Sequence, residues 1–69
     1  MTEQELMAEI EIAIDRVGLS VVLQSIAEIC SEKADHVMET YADKGIASNW
    51  RNVATIISKA SETVKRYVS

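Results

Sequence analysis

Apolar residues recur at three- and four-residue intervals along nearly the whole chain, and the pattern breaks near Gly18 and again near Lys44 and Gly45. Three amphipathic segments result, each with the spacing of a helix that buries one face. The expected fold is all-α: a short N-terminal helix followed by a long antiparallel helical hairpin. Helix 1 is placed over about residues 3–17, helix 2 over about 20–43 and helix 3 over about 48–67.

Helix 1 carries Leu6, Ile10, Ala13, Ile14 and Val17 on one stripe, with Glu9, Glu11 and Asp15 largely outside it. Thr2 followed by Glu5 fits a capping box, and Glu3 and Glu5 suit the positive end of the helix dipole. Arg16 suits the other end, and Gly18 can take the backbone conformation that stops a helix. The alternation from Glu9 to Ile14 also fits a strand, but the chain has no second strand-like segment to pair with it.

Helix 2 places Leu19, Leu23, Ile26, Cys30, Ala34, Val37 and Tyr41 on one face, with Ser20 as its expected N-cap. Helix 3 places Ile46, Trp50, Val53, Ala54, Ile57, Val64 and Val68 on one face and Ser48, Asn52, Thr55, Lys59, Glu62 and Arg66 on the other. With the turn centred on Lys44 and Gly45, the hairpin would pair Tyr41 with Trp50, Met38 with Val53, Val37 with Ala54 and Ala34 with Ile57. Further down, the same register pairs Cys30 with Ser61, Ala27 with Val64 and Leu23 with Val68.

Helix lengths change this picture. At 1.5 Å per residue helix 1 spans roughly 22 Å and each hairpin arm roughly 33–36 Å, so helix 1 covers only part of the hairpin. Folded back on helix 2 it would set Ile14 against Val22, Ile10 against Ile26 and Leu6 against Cys30. Ala34, Val37, Met38, Tyr41, Trp50, Val53, Ala54 and Ile57 would then remain as an apolar strip. Such strips mark interaction sites, and the expected occupant is a second copy in a symmetric homodimer. Trp50 and Tyr41 are suited to anchor that interface or to staple the hairpin tip.

Composition supports self-association, because 69 residues with a single cysteine form one small core with no intramolecular disulfide to supplement it. The chain has no proline and two glycines, in keeping with an almost wholly helical fold. Its acidic start lacks the pattern of a signal peptide, and no apolar run approaches the length that spans a bilayer. A cytoplasmic protein is expected. The formal net charge of -4 opposes binding to nucleic acid and to anionic membranes, and favours a protein partner with a basic surface.

Candidate chemistry is sparse. Glu28, Glu32, Asp35, His36, Glu39 and Asp43 share the outer face of helix 2, where His36 among carboxylates suggests a weak cation site or an acid-base cluster. The stripe points away from the expected core, and Lys33 stands where an inward-facing Glu-x-x-His metal motif would need its glutamate. A solvated polar face is therefore expected, with no metal and no cofactor. Cys30 lies on the core face, six residues from His36 and without a base beside it, which describes a small buried hydrophobe rather than a nucleophile.

No enzymatic site follows from these residues. The expected function is a small acidic helical protein-protein interaction module, an adaptor, assembly factor or inhibitor, that self-associates through its hairpin. The alternative is a nucleic-acid-binding transcriptional regulator using Asn49, Arg51, Asn52, Thr55 and Lys59 of helix 3, although helix 2 sets an acidic wall beside them.

Overall fold

The computed structural model describes residues 1–68, which form three helices: α1 (Glu3–Val17), α2 (Leu19–Tyr41) and α3 (Lys44–Val64). The fold is all-α, with α2 and α3 packed as a hairpin and α1 shorter. Thr2 accepts a hydrogen bond from the Glu5 N–H at 3.1 Å while the Glu5 side chain accepts from the Thr2 N–H at 3.3 Å, so the expected capping box is formed. Gly18 ends α1 at φ 91°, in the positive-φ range that a side chain disfavours, and its N–H donates to the Ile14 carbonyl at 2.8 Å.

The hairpin turn differs from expectation. It is built from Ala42 and Asp43, not from Lys44 and Gly45. Ala42 takes a left-handed conformation (φ 53°, ψ 31°) and donates its N–H to the Met38 carbonyl at 3.0 Å. Asp43 then caps α3 directly, its carboxylate accepting from the Ile46 N–H at 3.0 Å. Gly45 lies inside the first turn of α3, and Ser48 and Asn49 are already helical. Helix 2 stops two residues earlier than expected and helix 3 starts four earlier. An αL residue leaves the αR well as a glycine would, and the aspartate immediately after it supplies the first free N–H groups with an acceptor.

The register is displaced as well. Ser20, Ala27 and Ala34 on α2 and Ala47, Ala54 and Ser61 on α3, each set spaced by seven, are the deeply buried positions of the hairpin together with Cys30. Leu23, Val37, Trp50, Ile57 and Val64 are half-buried at the positions that flank the seam. Together these make a heptad pattern in both helices, the periodicity of two helices crossing at a shallow angle. The Ser61 hydroxyl donates to the backbone carbonyl of Ser20 at 2.6 Å, Ser58 donates to Gln24 at 3.2 Å, and Arg51 meets Asp35 at 3.0 Å.

These contacts replace the expected layers. Ser61 meets Ser20 instead of Cys30, and Trp50 lies beneath Lys33 instead of beside Tyr41, displacements of roughly two to three helical turns. The physical reason is the width of the seam. A serine side chain can reach the backbone of the facing helix only when the axes approach the lower end of the usual range of about 8–10 Å, and only Ala, Ser and Cys leave that space. The larger residues of the expected layers are displaced to the rims.

Helix α1 does not fold back along the hairpin. It meets α2 and not α3, none of its residues is buried, and only Ala13 and Ile14 within it are half-buried. Leu6 is 46% exposed, whereas Cys30, its expected partner, is enclosed by the seam. The radius of gyration is 13.9 Å, against roughly 11 Å for a compact chain of this length. The molecule measures 38 × 31 × 14 Å, so α1 projects from the Gly18 end of the hairpin as an arm.

Candidate interaction surface

A two-helix hairpin is one layer deep, so it has two broad faces, and the sequence makes them unlike. Residues flanking the seam on one side are Val22, Leu23, Ile26 and Val37 from α2 and Ile46, Trp50, Val53 and Ile57 from α3. Lys33 is the charged residue on this side, its ammonium 5.9 Å from the centre of the Trp50 ring, close enough for a cation-π contact. A shallow hollow of about 300 Å³ opens between Ile46, Asn49, Trp50 and Val53.

The opposite face is polar. Gln24 and Ser58 bridge the helices there, as do Asp35 and Arg51. A groove of about 340 Å³ on this side is lined by Gln24, Glu28, Ser31, Glu32 and Ser58 over a floor of Ala27 and Ala54. It is open and shallow. The Asp35–Arg51 pair is solvent-exposed on both partners, which limits its contribution to about 1 kcal/mol.

The eight residues expected to form one apolar strip are therefore divided. Ala34 is 0% exposed and Ala54 is buried, so both belong to the hairpin seam and offer nothing to a partner. Met38 lies on the polar side, beside a hollow lined by Lys44, Ala47, Ser48 and Arg51. Tyr41 stands 72% exposed at the end of α2, apart from Trp50. Val37, Trp50, Val53 and Ile57 remain together on the apolar face. Val22, Leu23, Ile26 and Ile46 of this face lay outside the expected strip; for Ile26 and Ile46, a position one step before the seven-residue spacing of Ala and Ser was the available signal.

The acidic residues also separate. Asp43 is spent on capping α3 and Asp35 on Arg51, whereas Glu28 and Glu32 border the polar groove and His36 and Glu39 are exposed. Among the described residues no three His, Cys, Asp or Glu side chains are grouped closely enough to hold a metal ion. Arg51, named above for nucleic-acid contact, is held by Asp35, and Thr55 donates its hydroxyl to the Arg51 carbonyl at 3.1 Å. No family model, curated protein or solved structure matches the chain.

By the usual scaling of surface with mass, a folded monomer of 7.6 kDa exposes roughly 4,300 Å². This chain exposes 5383 Å². The surplus, roughly 1,100 Å², accompanies the one-layer hairpin and the projecting α1.

Proposed function

We propose that the protein is a small acidic helical interaction module, an adaptor, assembly factor or inhibitor, that works as a homodimer joined through the apolar face of the α2–α3 hairpin. The observation that carries this reading is the surplus surface. Two copies that bury it on one another would enclose roughly 2,200 Å², within the range of about 2,000–5,000 Å² typical of obligate homodimers. Stacking two hairpins on these faces makes a four-helix core and gives Trp50 the dry surroundings in which aromatic anchors contribute most.

The polar face and the outer edge of α2 stay in solvent in such a dimer. Glu28, Glu32, His36 and Glu39 would then be displayed in duplicate, a surface suited to meet a basic protein partner. Sedimentation equilibrium of the wild type and of Val53→Glu tests the assembly. Val53 is 40% exposed in the single chain, so the substitution spares the hairpin seam while placing a charge in the proposed interface. The wild type is expected to sediment as a dimer at micromolar concentration and Val53→Glu as a helical monomer. A wild type that remains monomeric at high micromolar concentration overturns the proposal.

A further inference from the structure

The geometry points to α1 as a dimerisation arm, whose stripe of Leu6, Ile10 and Ile14 lies against the hairpin of a second copy. This inference rests on the homodimer proposed above and specifies what the projecting helix does in it. Both ends of α1 are defined by the chain itself, through the Thr2–Glu5 capping box and the Gly18 stop, so the helix is set up without a tertiary contact. Its apolar stripe is nevertheless largely in solvent, with Leu6 46% and Ile10 39% exposed. A helix of this length is marginal in water unless its apolar face is covered. Its own chain covers little beyond Ala13 and Ile14, close to the junction.

The connection explains why the hairpin in the same chain does not cover the rest. A single residue, Gly18, joins α1 to α2, and its backbone directs α1 away from the hairpin; no contact with α3 forms. The exposed stripe of α1 and the Val22 and Ile26 end of the apolar face, beside the part that holds Trp50 and Val53, are thus two apolar surfaces that one chain does not bring together. A second copy related by a two-fold axis brings each arm to the other chain's hairpin, so that two equivalent contacts close the assembly. The surplus surface includes α1, so the arm and the hairpin face are buried by the same event.

Two measurements on the full-length protein test this. An equimolar mixture of uniformly ¹³C-labelled and unlabelled chains, dissociated and reassembled, is examined by isotope-filtered NOE spectroscopy. Cross-peaks from the methyl groups of Leu6 and Ile10 to aliphatic or aromatic protons of the unlabelled hairpin are expected. In parallel, the dimer dissociation constant of Leu6→Ser/Ile10→Ser is measured by sedimentation. An increase of at least tenfold is expected, with hairpin helicity retained, since neither side chain enters the α2–α3 seam.

The outcomes separate the two proposals. A wild-type dimer whose α1 methyls show only intramolecular cross-peaks overturns the arm and leaves the hairpin dimer standing. So does a dimer whose dissociation constant the double substitution leaves unchanged. A monomeric wild type overturns both.

Discussion

Ala34→Leu is the sharpest test of the close-packed seam. Ala34 is fully enclosed between α2 and α3, and stepping by sevens from the Ser20–Ser61 contact places it in the layer of Ala47. Leucine adds three carbon atoms where the seam has room for a methyl group. Either the leucine leaves its preferred rotamer or the helices part, and parting weakens every layer, including the 2.6 Å Ser61–Ser20 bond. Overpacking of this kind costs about 1–3 kcal/mol. For a domain of this size, with a urea slope of about 1 kcal/mol/M, the midpoint should fall by about 1–3 M.

The assay is urea unfolding followed by helical circular dichroism and by Trp50 fluorescence, with all variants at one protein concentration so that association does not distort the comparison. Ala8→Leu serves as the control. Ala8 is exposed on α1 away from its apolar stripe, and the same chemical change there should alter stability by no more than about 0.5 kcal/mol. An Ala34→Leu variant as stable as the wild type would refute the tight seam, and with it the explanation for why the bulky residues lie outside it.

Four further expectations concern the hairpin and the surface it presents. Ser61→Ala removes the hydroxyl that reaches the Ser20 carbonyl and should lower stability by about 1 kcal/mol in the same unfolding assay; no change would mean that the bond contributes nothing net. Ala42→Gly should raise stability by about 0.5–1 kcal/mol, because it relieves the left-handed strain at the turn at some cost in chain entropy. Gly45→Ala should raise it by a similar amount, about 0.5–1 kcal/mol, since a Cβ there meets the Asp43 carboxylate at an ordinary 3.5 Å within helical backbone. Destabilisation by Gly45→Ala would restore Gly45 as the turn residue. The monomeric Val53→Glu variant should keep the wild-type helical content, and a loss of helicity would show that the apolar face is part of the fold rather than a surface on it.

The number and kind of elements were legible because they depend on local rules. Helical periodicity, the Thr2–Glu5 capping box and Gly18 specify α1 almost to the residue. The hairpin was legible for the same reason, but its turn was not. Gly45 is the conspicuous breaker, whereas the residue that turns the chain is Ala42, which has no compositional mark; Asp43, three residues before Ile46, was the available clue.

Register was lost because hydrophobic weight draws Ile, Val, Trp and Tyr to the centre of any wheel. The structure instead brings together the residues that occupy least space. The repeat of Ser20, Ala27 and Ala34 against Ala47, Ala54 and Ser61 was visible as a spacing, but its meaning depends on how closely two helices approach, a property of the pair rather than of either segment. The same distinction explains the candidate surface. A surplus of apolar residues can be read from one chain, whereas the face on which they gather follows only once the small residues have claimed the seam.

The single-residue junction at Gly18 has a consequence for how the chain opens. A helix that shares almost nothing with the hairpin cannot be protected by it, so the protein should behave as two cooperative units of unequal strength. Amide hydrogens of α1 would exchange through fraying of that helix alone, whereas those along the α2–α3 seam would wait for the hairpin to unzip. If the arm is held by another copy, dilution should expose the α1 amides first, turning hydrogen exchange in one helix into a gauge of assembly.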